Sequence, residues 1–116
     1  MATVLTLYGI TTCQSVKKAR QWLEQHHKPY RYHDVRTDGL NAEQLHDFVA
    51  RADWKLLLNR SSTAWRQLSA EQQADLNQEK AIALILATPT LMKRPVLDTG
   101  VQLLVGFTAE RYETEL

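Results

Sequence analysis

A second cysteine is missing from this sequence. Among 116 residues only Cys13 carries a thiol. That excludes an internal disulfide, a Cys-x-x-C redox pair (position 16 is Val16) and the cysteine framework of a small secreted domain. Long apolar runs are missing too: the longest, Ala81 to Ala87, falls well short of the ~18 residues a membrane span needs. The opening residues run straight into a strand pattern, without the charged and apolar regions of a signal peptide. A reducing cytoplasm is the expected compartment, and no membrane contact is expected. Charge of one sign is scarce as well. With 14 basic and 13 acidic residues, the formal net charge is +1, unlike the basic excess of a dedicated nucleic-acid binder, so no direct nucleic-acid contact is expected. His26, His27, His33 and His46 lack the helical pairing or cysteine partners of a zinc site, and no metal is expected. There is no repeat, low-complexity segment or linker.

What is present fits one domain, long enough to bury about two-thirds of the surface its unfolded chain would expose. Val4 to Tyr8 alternate as a strand, Gly9 breaks the run, and Val16, Ala19 and Leu23 recur at helical spacing. Cys13 stands at that strand-to-helix turn. The unpaired N–H groups and macrodipole of a helix start favour negative charge on its sulfur, and Lys17 adds a cation one turn further on. A nucleophilic thiolate is therefore the leading functional reading, weighed against a small buried hydrophobe.

Tyr30 to Val35 read as a second strand ending near the turn signal Asp38-Gly39, giving β-α-β with a parallel pair and a right-handed crossover. Asn41-Ala42-Glu43-Gln44 has the form of a capping box, with Leu45, Phe48, Val49 and Ala52 on one face of the helix it opens. Short helical pieces are predicted at Trp54 to Leu58 and Thr63 to Leu68, with a further start at Ser69. A buried helix is predicted from Ala74 to Ala87, using Leu76, Ile82, Ala83, Ile85 and Leu86. Pro95 to Asp98 and Val101 to Val105 form a hairpin through Asp98-Thr99-Gly100, and Thr108 caps a last helix through Tyr112. The order β-α-β, helices, β-β-α is the thioredoxin arrangement. The expected architecture is α/β: one thioredoxin-like domain over residues 1–116, with a mixed four-stranded sheet and a helical insertion at about 41–88.

Three motifs sharpen this: Tyr8-Gly9-Ile10-x-x-Cys13 with Lys17-Lys18-Ala19, Leu57-Leu58-Asn59-Arg60 with Trp65-Arg66-Gln67-Leu68, and Pro89-x-Leu91-Met92-Lys93-Arg94-Pro95. Together they resemble the arsenate reductase-like family, which takes in the glutaredoxin-dependent ArsC enzymes, the Spx regulators and the YffB-like proteins. Tyr8-Gly9-Ile10, Asp34 to Leu40 and Val105-Gly106-Phe107 look most like the YffB branch. In the ArsC enzymes a cysteine thiolate attacks the oxyanion, arginines hold its charge, and glutathione with glutaredoxin resolves the adduct.

Carried over, the resemblance makes Cys13 the nucleophile, Arg94 the anion clamp and Pro95 a cis-proline beside a groove for a peptide thiol. Arg60 is a second anion or thiol-substrate contact, displaced by one position because Asn59 stands where the reductases carry their first arginine. Their third arginine has no counterpart at Gly106-Phe107. Arsenate needs several planar donors to replace its hydration, so it is expected to be a poor substrate. Glutathione demands less, and Lys17, Lys18, Arg60 and Arg94 could pair with its carboxylates. Lys17, Lys18 and Arg20 read equally as a solvated helix face, and Trp22, Trp54 and Trp65 as packing residues.

The resemblance thus implies a glutathione-dependent thiol oxidoreductase with no bound cofactor, glutathione as co-substrate and glutaredoxin as a possible partner. The alternative it implies is an Spx-like regulator docking on the RNA polymerase alpha subunit, although the Spx Cys-x-x-C switch is absent.

Overall fold

In the computed structural model, which describes residues 4–116, the chain divides into two compact units. The first comprises the residues up to Val35 together with Arg94–Leu116, and the second is the intervening Arg36–Lys93. The first unit carries β1 (Leu5–Gly9), α1 (Gln14–Gln25), β2 (Tyr30–Asp34), β3 (Val96–Asp98), β4 (Leu103–Val105) and α7 (Ala109–Glu115). Its four strands form one mixed sheet in the order β2-β1-β3-β4. β1 runs parallel to β2, with Leu5 opposite Tyr30 and Gly9 opposite Asp34. It runs antiparallel to β3, with Tyr8 opposite Val96. This is a thioredoxin-like α/β fold.

The core of this unit follows from the periodicities. Val16, Ala19, Trp22 and Leu23 lie on one face of α1 and pack with Leu5 and Leu7 of β1, Leu97, Leu104 and Tyr112. Tyr112 is fully buried. Its ring makes edge contacts with Trp22 and Phe107, at centroid distances of 5.4 Å and 4.8 Å. Burial pushes its phenol well above the ordinary tyrosine range, so the hydroxyl stays neutral. Gly9 is required by close approach. A Cβ there would stand 2.6 Å and 2.8 Å from the two γ-carbons of Val16, where β1 meets α1.

The second unit is helical: α2 (Ala42–Arg51), α3 (Trp54–Leu57), α4 (Thr63–Arg66), α5 (Ala70–Gln73) and α6 (Gln78–Ala87), then a 3-10 turn at Pro89–Leu91. The expected capping box at Asn41 is present, and the further start expected at Ser69 carries one as well. Asn41 and Gln44 exchange side-chain and backbone bonds at the start of α2, and Ser69 and Gln72 do so at α5. Leu45 and Phe48 of α2 and Ala81, Ile82 and Ile85 of α6 supply buried side chains.

Two sequence expectations need correction. The helix predicted from Ala74 to Ala87 starts only at Gln78, because Asp75 takes a left-handed conformation (φ 51°) and the Asn77 side chain accepts from the Lys80 amide as a fresh N-cap. Leu76 therefore lies outside the helix, and Ala83 is exposed. The last strand starts at Leu103 rather than Val101. The Thr99 hydroxyl accepts from both Val101 and Gln102 amides and holds them in the turn, leaving Val101 82% exposed. Among the described residues, no helix is long and apolar enough to cross a membrane.

Candidate functional site around Cys13

Gly9 ends β1, and the chain turns through Ile10-Thr11-Thr12 so that the Cys13 amide donates to the Ile10 carbonyl at 3.2 Å. Cys13 is the N-cap of α1, with extended backbone dihedrals, and its own carbonyl takes the first helical bond, from Lys17 N–H at 3.1 Å. Its sulfur makes no capping hydrogen bond. The residue is half-buried and packs against the core of its unit. Lys17 is exposed one turn along α1.

The sheet register brings Arg94 and Pro95 to the same end. Val96, the first residue of β3, pairs with Tyr8, so Pro95 and Arg94 precede it beside Gly9, where the Cys13 turn departs. Pro95 is buried, its peptide bond to Arg94 is cis, and its carbonyl accepts from the Gly106 amide at 2.8 Å. Arg94 is half-buried. Of the residues singled out from sequence, Cys13, Lys17, Arg94 and Pro95 thus belong to the first unit. Arg60 belongs to the second, where it lines a cavity with Trp54, Lys55, Leu58 and Leu76.

A cluster of the first unit that packs on the same core as Cys13 has no sequence motif. Arg20 is not a solvated helix cation. It is half-buried, its Nε donates to the Tyr30 hydroxyl at 3.0 Å, and its guanidinium lies 4.3 Å from the Tyr32 ring centroid. The Tyr30 hydroxyl in turn donates to Glu24 at 3.1 Å. The bond to Tyr30 raises the Arg20 pKa further above neutrality, so the charge is permanent. Tyr32 packs against the same core as Cys13. Burial first, then the negative charge of Asp34, holds its phenol above the ordinary range, against the opposing effect of Arg20. Tyr32 therefore keeps a neutral O–H and a cation-covered ring on the core that Cys13 also packs against. The alternation Tyr30-x-Tyr32, which places both rings on one sheet face, is the only signal for it in the sequence. Arg111 is a second unanticipated cation: it follows the last strand and donates to the Val105 carbonyl at 3.1 Å. Among the described residues, no group of three or more His, Cys, Asp or Glu side chains is placed to hold a metal ion.

A thioredoxin-like sheet with one cysteine at the β1–α1 turn and an Arg-Pro step opening β3 defines the class of arsenate reductase-like, single-cysteine proteins. Residues 8–114 match the ArsC family, and the chain belongs to it. A protein of Haemophilus influenzae is 36% identical over 110 residues, covering 95% of this chain and 96% of that one. The solved structure of a YffB protein superposes with a TM-score of 0.93 at 44% identity, covering 97% of this chain and 98% of the other. The global transcriptional regulator Spx 2 of Lactococcus lactis is 27% identical over 109 residues, covering 92% of this chain and 82% of the regulator.

Proposed function

We propose that this protein is a glutathione-dependent thiol oxidoreductase of the cytoplasm, with Cys13 as its nucleophile. The Cys13 thiolate attacks the glutathionyl sulfur of a mixed disulfide, forming a Cys13–glutathione disulfide and releasing the other sulfur as a thiolate, which takes a proton from water. A second glutathione thiolate then attacks the glutathionyl sulfur of that adduct, giving glutathione disulfide and regenerating the Cys13 thiolate. No second protein cysteine is required, which matches a chain whose single thiol stands at position 13. Glutaredoxin can supply the resolving thiol in place of glutathione.

The observation that carries this reading is the Tyr8–Val96 pairing, which sets the Arg94-Pro95 step beside the turn bearing Cys13. Arg94 and the exposed Lys17 provide cations at that end for the two carboxylates of glutathione, and the helix start supports negative charge on the sulfur.

Arsenate makes a stricter demand, and with Asn59 where the reductases carry their first arginine and no counterpart of their third in the Gly106-Phe107 region, it is poorly held. In an assay coupled to glutathione reductase, the protein is expected to turn over a small glutathione mixed disulfide while arsenate stays near background. The Cys13→Ser variant is expected to lose the disulfide activity. Fast arsenate turnover would show that the cations present suffice, and disulfide turnover surviving in Cys13→Ser would remove the thiol from the mechanism.

The relatives named global transcriptional regulator Spx support a second reading as a regulator, for which the resemblance implies docking on the RNA polymerase alpha subunit. Capture of the alpha C-terminal domain by Cys13→Ser protein, with no glutathione-dependent turnover by the unaltered chain, would favour it.

A further inference from the structure

The inserted unit holds a cavity of its own. It has a volume of about 250 Å³ and is lined by Trp54, Lys55, Leu58, Arg60 and Leu76. Leu58 is buried, and Trp54 and Leu76 are half-buried, so the cavity has an apolar lining. That lining is held from several sides. Leu58 bridges to Met92, and the Asn59 amide donates to the Leu91 carbonyl at 2.8 Å. Leu76 is turned out of helix by the Asp75–Asn77 break.

Two cations stand at this lining. The Lys55 ammonium lies 5.8 Å from the Trp54 ring centroid. Arg60 follows Asn59, whose side chain accepts from the Ser61 amide and fixes the turn. Among the described residues, neither Lys55 nor Arg60 forms an ion pair. The nearest carboxylate in sequence, Asp53, is turned to the Lys55 backbone amide at 2.9 Å. An indole wall, two leucines and two unpaired cations make a site with apolar area for a flat ring and positive charge for one anionic group.

We propose that this cavity binds a small aromatic carboxylate, its ring against Trp54, Leu58 and Leu76 and its carboxylate between Arg60 and Lys55. The volume lies below the ~300–1,000 Å³ of pockets for larger organic ligands, which limits the occupant to about one ring. The Arg60 fork pairs with a carboxylate in two parallel bonds, and Lys55 adds a point charge. This goes beyond the thiol reading and assigns Arg60 to a ligand of its own.

The test is a titration of ¹⁵N-labelled full-length protein with phenylacetate, following the Trp54 indole N–H, which is assigned through Trp54→Phe. Benzyl alcohol and acetate serve as the ring without charge and the charge without ring. Phenylacetate is expected to give a saturable shift in the millimolar range, with each control at least about tenfold weaker. Arg60→Gln and Lys55→Gln should each weaken it about tenfold, the scale of one charge-assisted hydrogen bond. Both positions are exposed, and an otherwise unchanged amide spectrum verifies that the variants fold. A shift that never saturates, equal binding of benzyl alcohol, or insensitivity to both substitutions would overturn the assignment. No thiol reaction enters this readout, so its failure is separate from that of the glutathione reading.

Discussion

Replacing Arg94 with alanine is expected to slow capture of glutathione disulfide by Cys13 roughly 10- to 100-fold, while the cysteine keeps its reactivity toward a small neutral alkylating agent. The reasoning starts from position. Arg94 is half-buried and two residues ahead of Val96, whose partner Tyr8 lies one residue before Gly9 and the Cys13 turn. On the proposed glutathione reading, a guanidinium held there would meet the carboxylate of a glutathionyl group with little loss of side-chain entropy. One hydrogen bond to a charged group contributes about 1.5–3 kcal/mol, which sets the expected factor. Arg94→Lys should recover part of the rate, because the charge remains and the planar fork is lost. Second-order rate constants for glutathione disulfide and for iodoacetamide, measured on variants with matched thermal unfolding, check this. Equal slowing of both reactions would mean that Arg94 only supports the local structure.

The largest stability effect is expected at Gly9. Alanine there places a methyl within 2.6 Å and 2.8 Å of the Val16 γ-carbons. Val16 is fully buried in the core cluster and its branched side chain is stiff, so its γ-carbons have no solvent side to withdraw to. Overpacking of this kind costs about 1–3 kcal/mol, enough to lower the unfolding midpoint by several degrees. Because Val16 lies one turn past Cys13, relief of the clash by shifting α1 would also move the thiol relative to Arg94. Gly9→Ala is therefore expected to lose both stability and rate of glutathione disulfide capture. The double variant Gly9→Ala/Val16→Ala should be more stable than the sum of the two single effects, since the second change removes the atoms that clash. Denaturant unfolding of the four proteins checks the cycle. Additive losses would place the cost of Gly9→Ala outside this contact.

The thioredoxin-like part of the chain is readable from sequence where one physical signal dominates. β1 and α1 each carry a clear apolar period, β2 is rich in aromatic and branched residues, and Asn41 and Ser69 each announce a helix start through a glutamine three residues on. The break at Asp75–Asn77 is not readable from apolar spacing. The spacing continues through it, and the outcome turns on a left-handed aspartate and an asparagine cap. Val101 is misread for a similar reason: the Thr99 hydroxyl captures the amides that a strand would have used.

At the site, Cys13 is visible because it sits at a strand-to-helix junction, and Arg94-Pro95 is visible only through its likeness to the family's Arg-Pro motif. The Arg20–Tyr30–Tyr32 cluster is invisible until α1 lies on the sheet, since its members come from a helix and a strand whose relative placement no local pattern encodes. Arg60 stands out in sequence as a displaced arginine, whereas its neighbours Trp54, Lys55 and Leu76 come together only through the folding of the inserted unit.

The central claim is that Cys13 alone carries the chemistry by forming a disulfide with glutathione that cannot resolve within the chain. Intact-protein mass spectrometry after exposure to glutathione disulfide tests it most directly. A single added glutathionyl group is expected on the unaltered protein, stable until reduced glutathione is supplied and absent from Cys13→Ser. A protein that stays unmodified under these conditions would contradict the account.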